Sequence, residues 1–218
     1  GIKDLSGLSG LRQVDEHVRV ENGDALEDAT LPTLESIVGD IEVRRSPALK
    51  RASFPLLERT RAVEVYDNAS LISVEAPLAG PWPGEGLTFG AIFSWNPALE
   101  SVVLGAGDSG SPLRLELTSS PSLRIVTGLG EFTELELLDI SGTTSLETMP
   151  QLAVTSATGD VIIVASGVTS LDFLSELRSV EGDLTITDNP NLTQGECEAF
   201  AAKLTVEGTV VVSGNGGG

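Results

Sequence analysis

Apolar residues recur along this chain in two columns, two positions apart, once every 21 to 28 residues. The first column contains Val18, Ile41, Val63, Ala91, Leu115, Leu138, Ile163, Leu184 and Val210. The second contains Val20, Val43, Val65, Phe93, Leu117, Ile140, Ala165, Ile186 and Val212. A spacing of two is typical of a strand with one buried face. The pattern therefore predicts nine short strands, one in each of nine repeats.

A third apolar column consists entirely of leucine and follows the strands. Its members are Leu26, Leu49, Leu71, Leu99, Leu123, Leu146, Leu171 and Leu192. A repeat of about 22 residues is too short for a strand, a full helix and two loops, so we expect the returns to be turns or short 3₁₀ pieces. The expected fold is mainly β. It is a right-handed β-helix or leucine-rich-repeat-like solenoid of about nine rungs, with one parallel sheet.

Polar side chains form a column of their own in the turn after each strand. Its members are Ser46, Asn68, Asn96, Ser120, Thr143, Asn189 and Asn215. Asn and Ser side chains bond to neighbouring backbone groups, and stacked turns would place them above one another. We interpret this column as a structural ladder.

Two Gly/Pro-rich insertions interrupt the repeats, and both are predicted to be surface loops. The longer runs from Leu78 to Gly90 and carries Trp82; the shorter runs from Gly105 to Pro112. Insertions in solenoids often lie on the binding side.

The end of the chain departs from the repeat. Thr193 and Glu196 have the spacing of a capping box and precede the helix-prone segment Cys197 to Leu204, which predicts a short C-terminal capping helix. Residues 1–213 are expected to form a single solenoid domain, and 214–218 a flexible Gly-rich tail.

The best-preserved repeat, Leu174 to Leu192, reads LxxLxxVxGxLxIxxNPxL, with weaker copies at Leu31 to Leu49 and Leu8 to Leu26. With the closing segment NPNLTQGECEAFAAKL, this motif resembles the receptor L-domain family. These leucine-rich, β-helix-like domains occur in insulin and epidermal growth factor receptors and in fungal and bacterial surface proteins. The receptors' paired cysteines are missing here, so the chain is more similar to the bacterial surface type. The resemblance implies an extracellular recognition or adhesion module without cofactor or catalytic residues.

Charge narrows the range of partners. The chain has 32 acidic and 13 basic residues and a net charge of −19, which disfavours nucleic acid and anionic lipid as ligands. No apolar run has membrane-spanning length, and the start of the chain shows no signal-peptide pattern. We therefore expect no membrane insertion. For an extracellular or cell-surface protein, the signal peptide is expected to have been removed.

Residues with catalytic or metal-binding chemistry are few. Gly107 to Gly110 (GDSG) matches the nucleophile motif of trypsin-like proteases, but the chain's only histidine, His17, lies at the entry of the first strand. We interpret the motif as a loop turn. One His and one Cys disfavour a zinc site, and Cys197 is expected to be a buried, inert thiol. The sequence therefore predicts no metal and no cofactor.

The candidate binding patch lies where the outward-facing strand positions change from charged to neutral. It comprises Tyr66, Trp82, Ile92, Ser94 and Trp95. Accessible Trp and Tyr side chains are common anchors for protein and sugar ligands. The alternative is that Trp82 covers its own rung and Trp95 packs at the turn.

Three functions remain open on the sequence alone. The first is a non-enzymatic extracellular recognition or adhesion domain for an unknown protein or glycan ligand. The second is a β-helix carbohydrate-active enzyme, a polysaccharide lyase or hydrolase, that uses the outward-facing Glu116 or Asp139. The third is a purely structural surface spacer whose solenoid ends associate with one another.

Overall fold

The computed structural model describes residues 1–77, 87–105 and 111–216. Within these residues the backbone forms nineteen short strands, two 3₁₀ turns (Ser6–Leu8 and Asp172–Leu174) and one helix, α1 (Gln194–Ala201). The strands are β1 (Gln13–Val14), β2 (Val18–Glu21), β3 (Asp28–Thr30), β4 (Ser36–Ile37), β5 (Asp40–Arg44), β6 (Arg51–Ser53), β7 (Ala62–Tyr66), β8 (Ser73–Ala76), β9 (Phe89–Ser94), β10 (Ser101–Leu104), β11 (Leu113–Thr118), β12 (Ile125–Thr127), β13 (Glu134–Ser141), β14 (Ser156–Ala157), β15 (Val161–Val164), β16 (Ser179–Val180), β17 (Leu184–Thr187), β18 (Thr205–Val206) and β19 (Val210–Ser213).

Nine strands form one long parallel face, which we call the main sheet: β2, β5, β7, β9, β11, β13, β15, β17 and β19. Successive strands are one turn of the chain apart, so the nine strands span a β-solenoid of about eight turns. The fold predicted from the apolar columns is thereby confirmed.

The register agrees with the predicted columns except in the seventh repeat. There Val161, and not Ile163, pairs with Leu138 on one side and Leu184 on the other. The segment Val161–Val164 is apolar at all four positions, so its sequence does not show which residues face inward. With Val161 in the column, the adjoining repeats are both 23 residues long and Ser166 joins the polar column.

The returns contain more strand than expected. A second parallel sheet, β3-β6-β8-β10-β12, lines the first five turns, and a third face consists of the two-residue pairings β1-β4 and β14-β16-β18. Small or β-branched residues fill the inward positions of the second sheet: Ala29, Ala52, Val74, Val102 and Val126. The sequence pattern predicted one sheet only, since these strands have only three or four residues and their outer positions are partly apolar, as at Val103 and Ile125.

The core is a continuous column of aliphatic side chains between the faces. Leucines of the third column from Leu49 to Leu146 are fully buried, and in the seventh turn Val168 and Leu171 fill this layer together. Phe89 and Phe132 stack with their ring centroids 5.6 Å apart beneath the main sheet. Thin turns of this kind leave room for aliphatic residues more readily than for several aromatic rings.

The polar column forms the predicted ladder. Asn68 Oδ1 accepts from Ser46 N at 3.1 Å, and Asn68 Nδ2 donates to Val43 O at 3.1 Å and to Tyr66 O at 3.0 Å. Asn96 repeats this arrangement one turn later. These buried amides satisfy backbone groups that the turns would otherwise leave unpaired.

The ladder is interrupted at one position. Thr143 Oγ1 is a buried side-chain oxygen with no hydrogen-bond partner in the described part of the chain. The ladder resumes at Ser166, whose N and Oγ both donate to Asn189 Oδ1, at 2.9 and 2.7 Å.

A column of left-handed residues forms the corner after the main sheet. Every strand of this sheet is followed by one residue with positive φ: Asn22, Arg45, Asp67, Trp95, Ser119, Gly142, Ala165, Asp188 and Gly214. We call this column the corner ridge. Gly, Asn and Asp adopt this conformation at low cost, whereas side chains such as Trp and Arg do so rarely.

Helix α1 begins with the predicted capping box, because the Thr193 side chain accepts from Glu196 N and the Glu196 side chain accepts from Thr193 N. Cys197 is its one buried residue, and burial raises the pKa of the thiol, as expected of an inert cysteine. The last strand is still not fully covered at this end of the solenoid, since Val210 is 48% exposed.

The solenoid continues past the predicted boundary at residue 213. Asn215 is buried in the ladder, where its Oδ1 accepts from Asn189 N at 3.2 Å. Gly216 N donates to Asn189 O at 2.8 Å. Residues 214–216 therefore belong to the last turn, because the ladder bonds hold them there.

We expect Asn189→Ala to lower the free energy of unfolding by about 2–4 kcal/mol, because it leaves two buried donors of Ser166 and the carbonyl of Ile163 without partners. Thr143→Val is the matched control in the same column. It removes a hydroxyl that has no partner and should leave stability unchanged or slightly higher. Urea unfolding followed by circular dichroism measures both. Equal losses in the two variants would contradict the ladder's role.

Candidate functional site

The first three turns of the main sheet carry a network of ion pairs around Tyr66. Tyr66 Oη donates to Glu42, and Arg44 Nη1 donates to Tyr66 Oη at 2.7 Å. Arg44 also contacts Glu21 through Nε, at 2.7 Å, while Arg19 donates to Glu42. The Tyr66 hydroxyl is therefore occupied within the protein and is not free for a ligand.

Protonation in this network follows from its contacts. Burial raises the pKa of Glu42, but hydrogen bonds from Tyr66 and Arg19 and the charge of Arg44 outweigh it, so the pKa is lowered. Burial, followed by the bond to Glu42, raises the pKa of Tyr66. The network is thus held with Glu42 ionised and Tyr66 neutral at pH 7.

Two further members of the predicted patch lie next to Tyr66 on the main sheet. Ser94 pairs with Tyr66 in register, but it is buried and its Oγ accepts from Thr118 Oγ1 at 2.8 Å. Ile92 is half-buried. Trp82 lies outside the described residues. The sheet therefore brings Tyr66, Ile92 and Ser94 together, although the two hydroxyls are already engaged.

Trp95 differs from its neighbours in both exposure and conformation. Its side chain is 66% exposed and its φ is 58°, in the left-handed region. Its backbone N donates to Thr118 O at 3.0 Å, which fixes the residue to the next turn. Among aromatic side chains in the described ranges, only Trp95 is exposed. The alternative prediction, that Trp95 packs at the turn, is wrong.

A row of carboxylates lies on the main sheet beside Ile92. Glu64, Ile92, Glu116 and Asp139 pair in register across four turns. Burial, and then the charges of Asp40 and Glu42, raises the pKa of Glu64. Burial, and then the charge of Glu116, raises the pKa of Asp139 even though Ser141 donates a hydrogen bond to it.

Arg114 offsets part of this negative charge. Its Nε donates to Glu116 Oε1 at 2.6 Å, and its Nη1 lies 3.6 Å from Glu136 Oε1. Glu136 is the extra residue of a β-bulge in β13, and bulges commonly turn a side chain out of the strand's alternation. Glu136 also accepts from Thr88. Glu116 is thereby paired, while Asp139 keeps only Ser141.

A groove that the sequence did not reveal lies between the segment of helix α1 and the preceding return, residues 170–178. Its volume is about 530 Å³. Leucines and Phe200 line it, and Arg178 and Lys203 lie in the lining together with Asp172 and Glu196. Opposite charges are present in equal number, so this groove does not favour an ionic ligand of either sign.

Comparison of the chain with protein-family models, curated proteins and solved structures found no match. The resemblance to receptor L-domains therefore stays a prediction. Across residues 1–77, 87–105 and 111–216, no group of three or more His, Cys, Asp or Glu side chains is placed to hold a metal ion. Nor does any helix in these ranges combine the length and apolar character needed to cross a membrane.

A carboxylate whose pKa is raised and one whose pKa is lowered should affect stability in opposite directions. The raised pKa of Asp139 means that its ionised form opposes folding, so Asp139→Asn should stabilise the protein at pH 7. This gain should vanish as the pH falls below about 3.9, where unfolded aspartate is protonated. Glu42→Gln is the control of opposite sign: the lowered pKa of Glu42 contributes stability at pH 7 that disappears in acid.

Thermal unfolding of the wild type and both variants from pH 3 to pH 8 measures these effects. A destabilised Asp139→Asn variant at pH 7 would contradict the account of Asp139.

Proposed function

We propose that this chain is a non-enzymatic recognition domain that binds a protein or glycan ligand at a surface centred on Trp95. The observation that carries the proposal is the conformation of Trp95: a 66% exposed indole on a residue with φ of 58°. Positive φ is common to all nine corner positions, so the feature that the solenoid does not require at Trp95 is the exposed indole.

The energetic argument compares Trp95 with other positions of the corner ridge. Asn22, Asp67 and Asp188 occupy equivalent positions with residues that tolerate positive φ. A left-handed conformation costs most other residues about 1–2 kcal/mol. Arg45, Ser119 and Ala165 share this strained conformation, so Trp95 differs from them by its large exposed aromatic side chain. A large aromatic side chain in such a place, exposed to water, is best explained by contact with a ligand.

The scaffold suits this function. Parallel strands and the buried ladder hold each position of the corner ridge at a fixed height along the solenoid. Binding energy in interfaces is concentrated in a few anchors, with Trp, Tyr and Arg the most frequent. Together with the resemblance to receptor L-domains, this supports an extracellular or cell-surface location, which we include in the proposal.

Trp95→Asn should abolish ligand binding and at the same time stabilise the fold by about 1 kcal/mol, because Asn tolerates positive φ better than Trp. Ala165→Asn is the matched control: it relieves the same conformation (φ 48°) three turns away and should leave binding intact. Ligands are first identified with a glycan array and a peptide library, and affinities are then measured by calorimetry.

Stability in this experiment is followed by circular dichroism during urea unfolding, since the substitution removes an indole fluorophore. The proposal is wrong if Trp95→Asn binds the identified ligand as tightly as the wild type. Because the variant is expected to be more stable, lost binding cannot be attributed to unfolding.

A second candidate function is a carbohydrate-active enzyme that acts on acidic polysaccharides. The observation in its favour is the in-register pair of Glu116 and Asp139, in which the pKa of Asp139 is raised and Glu116 is paired with Arg114. General acid–base hydrolysis of a glycosidic bond uses two neighbouring carboxyl groups in different environments.

If this second function is correct, purified protein should release reducing ends from polyuronates, and Glu116→Gln and Asp139→Asn should each lower the rate by at least about a hundredfold. Glu134→Gln, a half-buried residue of the same strand on the third face, is the control and should leave the rate unchanged. Equal rates in all variants would remove this candidate.

A further inference from the structure

Asp67 and Trp95 are adjacent members of the corner ridge. Their backbones have nearly the same φ, 59° and 58°, and the strands that precede them pair in register. Asp67 N donates to Ser94 O at 3.1 Å, which places the two residues one turn apart. Successive strands of a sheet are separated by about 4.8 Å, so two exposed side chains with equal backbone conformation leave the corner side by side. A residue with a carboxylate thus lies one turn from the exposed indole, on the same ridge.

The charge of Asp67 has no counterion among the described residues. The nearest cation along the ridge is Arg45, one turn away. Its guanidinium is directed to Glu21, with Nη2 3.9 Å from Glu21 Oε2. Asp67 itself is exposed and forms no ion pair in the described ranges. Its carboxylate is therefore available to a ligand.

From this juxtaposition we infer that the Asp67–Trp95 pair binds the guanidinium group of an arginine in a basic segment of a partner protein. This inference rests on the proposed recognition function and specifies its ligand. A guanidinium plane stacks on the face of an indole and, unlike an ammonium, presents several N–H donors in one plane to a carboxylate. The net charge of −19 attracts such a segment from a distance.

Other ligand classes fit the pair less well. A neutral sugar would stack on Trp95 but would leave the Asp67 charge uncompensated. An anionic ligand would be repelled by Asp67 and by the net charge of the protein. A lysine side chain has the required charge but lacks the planar group that both stacks and donates in parallel. Arginine satisfies both residues at once.

The test uses three synthetic peptides of equal length that carry arginine, lysine or citrulline at the same positions. Citrulline keeps the shape of arginine and removes its charge. Calorimetry with the wild-type protein should show the tightest binding for the arginine peptide and binding about tenfold weaker or more for the citrulline peptide. Raising the salt concentration should weaken binding of the arginine peptide.

Three substitutions test which residues contact the arginine peptide. Asp67→Asn should weaken binding of the arginine peptide about three- to tenfold, and Trp95→Asn should weaken it at least as much. Asp188→Asn is the matched control, since Asp188 is an exposed aspartate with the same φ at 60° on the same ridge but has Gly214 in place of a Trp. Its affinity should equal that of the wild type.

Several results overturn the inference: no binding of the arginine peptide, equal affinity for the citrulline peptide, or unchanged affinity in Asp67→Asn. Glycan binding that depends on Trp95 but not on Asp67 also overturns it, while leaving the proposed recognition function intact. If an identified ligand binds Trp95→Asn normally, the recognition function at Trp95 is itself wrong. The two failures are thus distinguished.

Discussion

Stacking at a fixed spacing is the constraint on which this structure depends. Parallel strands place residues of the same column about 4.8 Å apart in successive turns, so each column has to contain side chains that tolerate copies of themselves above and below. Leucine does so inside the core, and Asn or Ser does so in the ladder, where each side chain accepts from the turn before it. The same constraint gives the corner ridge its left-handed backbone after all nine strands of the main sheet.

The constraint also distinguishes surface residues whose side chains are bonded within the fold from those whose side chains are not. Tyr66 and Ser94 have the aromatic and hydroxyl groups of a binding patch, yet their polar atoms are bonded to the neighbouring turns. Trp95 lies directly beside them and has an exposed side chain with a conformation that opposes stability. The row of carboxylates includes both kinds of residue: Glu116 is paired with Arg114, whereas Asp139 has no cationic partner within the described ranges and its pKa is raised. A surface residue that departs from the repeat, and whose side chain is not bonded within the protein, is therefore the strongest candidate for a binding site.

Periodicity explains what could be predicted from the sequence. The nine strands followed from the apolar columns that begin at Val18 and Val20, and the ladder from the polar column that begins at Ser46, since stacked turns require the same type of residue at the same position. The predicted register was wrong at Val161, because four successive apolar residues do not show which side of the strand faces inward. The second sheet was missed because strands such as Arg51–Ser53 are three residues long. The exposure of Trp95 depends on a backbone angle, and the only available signal was the Asn, Asp and Gly residues at equivalent positions.

The unpartnered hydroxyl of Thr143 leaves a gap in the ladder of side-chain hydrogen bonds. Side-chain bonds link the ladder from Gly23 to Ser120 on one side and from Ser166 to Asn215 on the other, but no such bond is made at Thr143 between them. In a repeat protein each turn is stabilised only by its neighbours, so the interface with the fewest bonds limits how far cooperativity extends. The ladder consequently has two separate runs, while the main sheet continues across the gap; Trp95 adjoins Asn96 in the first run, where the ladder bonds are complete on both sides.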